Sequence, residues 1–211
     1  MPVFLSGGAC VACGLQSDSH GNHAISCGSQ GERIARHNHL RDAMYATAAS
    51  AHLAPTREDR AFLPGTDGRP ADVLIPNLLC GLHAALDITG LKTTLGEPGY
   101  ALRARHQYKW SKYGDKCLAE GIKCCPLVVE TIGGWHEEAI AILRQLCQAL
   151  ARATGGEEGE ISRHMFGRLS VLLQRDSATL LLKRIPQFIV IQSARPKPDM
   201  IQVDSTFEYE K

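Results

Sequence analysis

The feature that most constrains the fold of this chain is a cluster of cysteine and histidine residues near its N-terminus. Cys10 and Cys13 are separated by two residues, and His23 and Cys27 are separated by three, so the pattern is C-x2-C-x9-H-x3-C. Two thiolates on a tight turn, with an imidazole and a thiolate on a second short segment, can provide the four tetrahedral ligands of a zinc ion. We therefore predict a structural zinc knuckle over residues 1–30.

Metal binding would also account for how this segment folds. The knuckle is rich in glycine and serine and cannot bury much apolar surface, so the ion would supply much of its folding free energy. His20 is an alternative to His23 as the histidine ligand. With four protein ligands the zinc ion would have no open coordination position, and its role would be structural rather than catalytic.

The cysteine usage also bears on the cellular compartment. Three of the eight cysteines lie in the knuckle, which favours metal ligation in a reducing environment over a disulfide framework. The N-terminus lacks the basic region and apolar run of a signal peptide. Apolar stretches such as 180–182 and 188–191 are too short to span a bilayer. We expect a nuclear or cytoplasmic protein that is not secreted.

Downstream of the knuckle, the apolar pattern predicts a mixed α/β domain. The predicted helices cover 32–53, 100–118, 135–153 and 161–184, and the predicted strands cover 71–76, 84–89 and 126–131. A hairpin connection at 77–82, followed by a helical crossover to the third long strand, implies a mixed sheet with helices packed on it. A further short strand is expected near 60–63, and Trp135 is expected to anchor the core at a helix start.

These elements divide the chain into four predicted regions. They are the zinc knuckle (1–30), the α/β core (31–153), a C-terminal helical extension (154–186), and a tail or extra strand (187–211).

Two carboxylates interrupt the predicted hairpin strands. Asp72 lies near the start of the first strand and Asp87 near the end of the second, and such positions lie side by side in an antiparallel hairpin. Two close carboxylates in a core are costly without a cation. Mg²⁺ favours one or two carboxylates with waters and phosphate oxygens, and it can activate water for phosphodiester hydrolysis. The alternative is that Asp72 caps a turn while Asp87 faces solvent.

The helix after these strands carries a basic face. Four cationic side chains recur at i, i+4, i+7 and i+11, namely Arg105, Lys109, Lys112 and Lys116. This spacing places them on one side of the helix, opposite a predicted apolar face formed by Tyr100, Ala104 and Tyr108. A basic face could hold phosphates and neutralise charge in a transition state. The alternative is a solvated surface, and the net charge of +1 does not decide between them.

Several short motifs follow the knuckle in a characteristic order. They are RPADVLIPN (69–77), ALDIT (85–89), KWSKY (109–113) and VVETIGGW (128–135). With the knuckle, they resemble the restriction-like endonuclease domain of R2-type non-LTR retrotransposon proteins over residues 10–150. That domain belongs to the PD-(D/E)XK nuclease superfamily. The resemblance implies a restriction-endonuclease-like α/β fold, in which a mixed sheet is flanked by helices.

The resemblance also implies roles for individual residues. It implies that Asp72 and Asp87 ligate Mg²⁺, and that Lys109 or Lys112 orients or activates the attacking water. We assign nucleic-acid binding to three further residues of the same helix, Arg105, Tyr113 and Lys116. Enzymes of this class nick DNA and leave a 3′ hydroxyl that primes reverse transcription. The implied partners are DNA, together with element RNA or the reverse transcriptase portion of a larger protein.

Two positions depart from the family pattern. Ala71 stands between Pro70 and Asp72, where the family has a direct Pro-Asp pair. Thr89 stands two residues after Asp87, where the wider superfamily has a lysine. Because threonine cannot supply positive charge, a lysine of the next helix would have to reach into the site.

Two other polar residues leave alternatives open. Glu130 interrupts the third predicted strand, where it could be a third metal ligand or a hydrogen-bond partner for a basic side chain. His37 either points from the first helix towards the site or is an ordinary surface or partly buried histidine.

We therefore expect a Mg²⁺-dependent DNA endonuclease with a structural zinc knuckle. The first alternative is a catalytically inactive, zinc-containing module that binds nucleic acid. Thr89 and the near-neutral net charge favour it, whereas the presence of both Asp72 and Asp87 opposes it. The second alternative is a zinc-stabilised protein-interaction domain, which would show no salt-dependent binding to DNA.

Overall fold

The structure has the predicted mixed α/β organisation. A computed structural model describes residues 8–27, 31–57, 71–91, 97 and 99–184. In chain order, the elements are α1 (Asn22–Ser26), α2 (Glu32–Ser50), β1 (Thr56–Arg57), β2 (Val73–Leu79), β3 (Leu82–Leu91), α3 (Tyr100–Ala119), β4 (Ile122–Glu130), α4 (Glu137–Thr154) and α5 (Glu158–Leu182). The strand predicted near 60–63 and the tail 187–211 lie outside the described residues.

The four strands form one mixed sheet in the order β1-β2-β3-β4. β2 pairs antiparallel with both β1 and β3, whereas β3 and β4 run parallel. α3 lies between the two parallel strands in the sequence and makes the crossover that a parallel pair requires. The mixed sheet flanked by helices is therefore confirmed.

The β2–β3 hairpin is longer than predicted. Its turn consists only of Cys80 and Gly81, which have φ values of 49° and 94°, as a two-residue hairpin turn requires. The predicted connection at 77–82 is wrong because Asn77, also at positive φ, does not end the strand. The register instead shifts between Ile75 and Leu79, which is the mark of a bulge.

β4 begins at Ile122 rather than at the predicted residue 126. Cys124 and Cys125 are buried in the strand, so the small thiols serve as apolar side chains there. Pro126 continues the strand opposite Asp87. A proline lacks a backbone donor, but β4 is the outer strand of the sheet within the described residues, and an edge position tolerates it.

Helices cover both faces of the sheet. α2, α4 and α5 enclose the larger core, whose buried side chains include Leu40, Leu86, Leu143 and Leu169. Trp135 is partly buried and packs against this core, as predicted. α3 covers the other face and forms a smaller core, which contains Ala85, Tyr113, Cys117 and Cys124.

The predicted apolar face of α3 is wrong. Tyr100 and Tyr108 are 61% and 54% exposed, whereas Leu102, Tyr113 and Cys117 are buried. The spacing of the tyrosines indicates a helical face but not that the face is buried, because their amphipathic rings also suit a surface. The observed orientation matters for the site, because it turns Lys109 towards the sheet.

α5 begins at Glu158, three residues before the predicted start. The side chain of Glu157 caps it by accepting hydrogen bonds from the backbone N–H groups of Gly159 and Glu160 at 2.9 and 2.6 Å, as helix N-caps do. None of the helices in the described ranges combines the length and the hydrophobicity that a membrane crossing requires.

A histidine caps the start of α4. Nδ1 of His136 accepts a hydrogen bond from the backbone N–H of Glu138 at 3.3 Å, and its ring stacks on that of His106 with centroids 4.0 Å apart. Burial, and to a smaller extent the neighbouring His106, lowers the pKa of His136 below its usual value of 6.5. The unfolded chain therefore binds this proton more readily, so the free energy of unfolding falls as the pH drops below 6.5.

We expect His136→Asn to weaken this pH dependence. Asparagine can still accept the capping hydrogen bond, but it does not titrate. Relative to the native chain, the urea midpoint of the variant should fall less between pH 7 and pH 5, by about 0.2–0.5 M. His52→Asn is the matched control, since His52 is exposed and asparagine tolerates its positive φ. Equal midpoint changes in both variants would contradict the assignment to His136.

Candidate functional site

The four predicted knuckle residues come together in space. Their ligand atoms all lie within 4.8 Å of one another, and within the described ranges this is the only group of three or more His, Cys, Asp or Glu side chains that does so. Sγ of Cys10 lies 3.9 Å from Sγ of Cys27, and Sγ of Cys13 lies 3.2 Å from Nε2 of His23. His23, and not the alternative His20, is the histidine of the group.

The spacing of these atoms fits a tetrahedral ion. Zinc–sulfur bonds of about 2.3 Å place two thiolates about 3.8 Å apart, close to the distance between Cys10 and Cys27. Three cysteines and one histidine are also the donor set that zinc prefers in closed structural sites. The cluster can therefore hold a zinc ion.

Local hydrogen bonds build the two halves of this cluster. On the first half, the N–H of Cys10 donates to the carbonyl of Leu15 at 2.7 Å, and Gly14 takes a φ of 75° that closes the turn. On the second half, Asp18 accepts hydrogen bonds from the backbone of Asn22 and His23. Although burial acts in the opposite direction, these bonds bring the pKa of Asp18 down to about 2. Asp18 thus fixes the short helix that presents His23.

A buried ion-pair network attaches the knuckle to the domain. Arg184, at the end of α5, donates to the carbonyl of Cys27 at 3.4 Å and to the carboxylate of Glu32 at 3.1 Å. Lys183 also contacts Glu32 at 3.3 Å. Since Glu32 begins α2, this network joins the knuckle, the first long helix and the last helix.

The two predicted carboxylates lie side by side at the open end of the β2–β3 hairpin. Asp72 directly precedes β2, and its N–H donates to the carbonyl of Leu86 at 2.8 Å. Asp87 directly follows Leu86 in β3. Burial raises the pKa of Asp87, and the charge of Asp72 adds to this rise, as expected of two close acids. The hairpin therefore juxtaposes the pair as predicted.

Lys109 of α3 reaches Asp87. Its Nζ lies 2.7 and 3.0 Å from the two carboxylate oxygens. Asp87 is only 5% exposed, and this burial raises the pKa of its carboxyl group, while the lysine opposes the shift. The ammonium group thus compensates the buried negative charge of Asp87. Thr89, two residues further along the strand, cannot do so because its side chain carries no positive charge. Lys112, by contrast, points outward and lies 4.7 Å above the ring of Tyr113.

His37 contacts the other carboxylate. Its Nε2 lies 3.1 Å from Oδ1 of Asp72, and the N–H of Ile88 donates to Oδ2 of Asp72 at 2.6 Å. The hydrogen bond with Asp72 raises the pKa of His37 above its usual value. Of the two alternatives for His37, the structure shows the one in which it points towards the carboxylates.

An open cleft of about 540 Å³ gives access to both carboxylates. α2 forms one wall, the end of β3 the floor, and α3 the other wall. Its basic lining residues are Arg33, Arg36, Arg105 and Lys109. Arg33, Arg36 and His37 were not singled out together from the sequence, although their spacing of three and four residues places them on one helical face.

Several predicted residues lie elsewhere. Lys112 and Lys116 are exposed on α3 and do not line the cleft. The ring of Tyr113 is buried in the smaller core, so it is not available to stack on a base. Glu130 does not line the cleft either. It pairs with Leu91 at the far end of β4, and its carboxylate lies against Gly134.

A scan against protein-family models finds no match to this chain, and a search of curated proteins finds no relative.

Proposed function

We propose that the protein is a metal-dependent endonuclease with a restriction-endonuclease-like fold. The observation that carries this proposal is the pair of adjacent carboxylates in an open cleft, with Lys109 bound to one of them and arginines around them. The arrangement of an antiparallel hairpin followed by a helical crossover to a parallel strand supports the proposed fold, because it places the two acids at the open end of the hairpin and Lys109 of the crossover helix against one of them.

The donor set suits a hard divalent cation. Mg²⁺ is commonly held by one or two carboxylates plus water and substrate phosphate, and Asp72 and Asp87 would be those carboxylates here. When bound, such an ion supplies Lewis-acid activation of water and stabilisation of the departing oxygen. The zinc knuckle, with its closed ligand set, has a structural role in this proposal.

The chain's own residues have separate tasks. Lys109 supplies positive charge beside the scissile phosphate, in place of the lysine that the wider superfamily has at the position of Thr89. His37 orients Asp72 through their hydrogen bond. In the reaction, water attacks phosphorus and the bond to O3′ breaks, leaving a 5′ phosphate and a 3′ hydroxyl that takes up a proton. DNA is the proposed partner, with element RNA or a reverse transcriptase portion as further proposed partners.

The test is nicking of supercoiled plasmid by the zinc-loaded chain. We expect conversion to the open circle with Mg²⁺ or Mn²⁺, and none with Ca²⁺ or without an added divalent cation. Chelators are avoided, because they would also strip the knuckle. A folded, zinc-loaded chain that cuts neither single- nor double-stranded DNA under any of these conditions would overturn the proposal.

A specific observation favours a second candidate, a nucleic-acid-binding module that does not cut. Both carboxylates already have a basic partner within the chain: His37 contacts Asp72, and Lys109 contacts Asp87. In this candidate the two pairs stay intact and no metal ion binds between the carboxylates. This candidate predicts DNA binding that weakens steeply with salt and is not strengthened by Mg²⁺. Salt-dependent DNA binding of this kind, without nicking, would favour the binding module over the nuclease.

A further inference from the structure

One arginine in the cleft is a buried cation without a carboxylate partner among the described residues. Arg36 is 6% exposed, and among the residues that the structure describes its guanidinium makes one long hydrogen bond, 3.4 Å, to Oγ of Ser177. Asp176 is the acidic group whose charge acts on it, but that carboxylate is held by His39 and Arg175. A buried charge without a partner is costly, which indicates that Arg36 is placed to receive an anion.

A second arginine, on the opposite wall, has an unsatisfied hydrogen-bond donor. Nε of Arg105 is buried and has no hydrogen-bond partner in the described part of the chain, and its guanidinium carbon lies 5.2 Å from the ring centroid of Tyr108. Buried polar groups are normally satisfied, so an unsatisfied donor on a residue that lines the cleft points to a ligand that binds this side chain.

The two arginines belong to the same cleft as the carboxylates. Arg36 comes from α2 and Arg105 from α3, and both line the space that Asp72 and Asp87 open into. Arg36 lies close to the end of β3, since a Cβ at Gly90 would be in ordinary van der Waals contact with its Nη2, at 3.8 Å. The carboxylates do not repel an anion strongly, since His37 and Lys109 lie against them.

We propose that Arg36 and Arg105 form an anion subsite that binds one phosphate group of a nucleic-acid backbone, next to the phosphate that is cut. Guanidinium groups present paired N–H donors that match phosphate oxygens, and two of them line the same cleft. The assignment to a backbone phosphate rests on the proposed nuclease function, whereas the subsite itself requires only an anion of this chemistry.

The first test is thermal denaturation of the full, zinc-loaded chain with inorganic phosphate, against chloride at equal ionic strength. A ligand that binds only the folded state raises Tm, and we expect a rise of a few degrees at phosphate concentrations well above Kd. Arg36→Met and Arg105→Met should each remove this rise. Arg144→Met is the matched control, because Arg144 is an exposed arginine of α4, and it should keep the rise.

The second test keeps the proposal falsifiable if a methionine variant folds poorly. Arg36→Lys and Arg105→Lys retain the charge but lose the paired donors. In each we expect phosphate and a short DNA duplex, without added divalent cation, to bind at least about tenfold more weakly than to the native chain. Native arginine Nε–Hε resonances should shift with saturation as either ligand is added.

The outcomes separate this subsite from the nuclease proposal. Saturable shifts with phosphate but not with duplex would indicate a site for free phosphate and overturn the backbone assignment. Saturable shifts with both ligands, in a chain that never nicks DNA, would support the subsite and refute the nuclease. Nicking with unchanged KM in both lysine variants would refute the subsite and leave the nuclease in place. No phosphate effect on Tm or on the resonances would also overturn the subsite.

Discussion

Replacing Asp87 by asparagine should reduce metal-dependent nicking by about a thousandfold. Asparagine keeps the size of the side chain but removes the charge that would hold a divalent cation. The ammonium of Lys109, now 2.7 Å from the carboxylate, would face a neutral amide and oppose cation binding instead. Asp72→Asn should have an effect of the same order, because the two carboxylates would share one ion. The measurement is the initial rate of open-circle formation at saturating Mg²⁺.

The control for this experiment is Asp115→Asn. Asp115 is an exposed aspartate on the same helix as Lys109, so its replacement makes the same chemical change on the surface. We expect it to nick at the native rate. If Asp87→Asn also nicked at the native rate while remaining zinc-loaded, catalysis would have to use other residues and the proposed site would be wrong.

Loss of one cysteine ligand is expected to unfold the knuckle. Cys27→Ser should weaken zinc binding by at least about a hundredfold, because it removes a thiolate from a closed tetrahedral site. Without the ion, little apolar surface remains to hold residues 8–27 in place, and Asp18 alone cannot order them. We expect faster proteolysis within this segment, together with a zinc content clearly below one ion per chain after dialysis, measured by atomic absorption.

Cys80→Ser provides the matched comparison. Cys80 is an exposed cysteine in the β2–β3 turn, and serine preserves its Cβ and therefore its backbone preferences. This variant should keep one zinc ion per chain and the native resistance to protease. A stoichiometric zinc content and native protection in Cys27→Ser would contradict the ligand assignment.

Local spacing made the knuckle predictable. Its ligands lie on two short segments, and a metal with fixed geometry leaves few arrangements for them. The choice between His20 and His23 was not settled by spacing. It depends on the loop that Asp18 organises by accepting the N–H groups of Asn22 and His23.

The carboxylate pair was predictable for a different reason. Asp72 and Asp87 lie on neighbouring strands of one hairpin, so their approach follows from short-range pairing. The turn at Cys80 and Gly81 is tighter than predicted, but this does not change how Asp72 and Asp87 pair. The bulge around Asn77 absorbs the residues that the shorter turn leaves in the strand, and it lies between the turn and the carboxylates.

The partners of these carboxylates were harder to predict. His37 and Asp72 are separated by 35 positions, and their contact depends on how α2 lies across the sheet. The same holds for α3, whose orientation decides that Lys109 and not Lys112 reaches Asp87. A periodic pattern defines the faces of a helix, but packing decides which face is buried. For α3, the spacing of the tyrosines led to the prediction of a buried face that is in fact exposed.

The network of Arg184 with Glu32 and Cys27 sets a lower limit on any fragment prepared for biochemical work. α5 contributes Met165, Leu169 and Leu173 to the larger core, and Lys183 and Arg184, which directly follow it, hold the junction between the knuckle and α2. A fragment cut at residue 153 would expose that core and release the knuckle from its anchor. For expression or domain-swap designs, the indivisible unit therefore extends through Arg184, and a boundary placed between α4 and α5 would divide one folding unit in two.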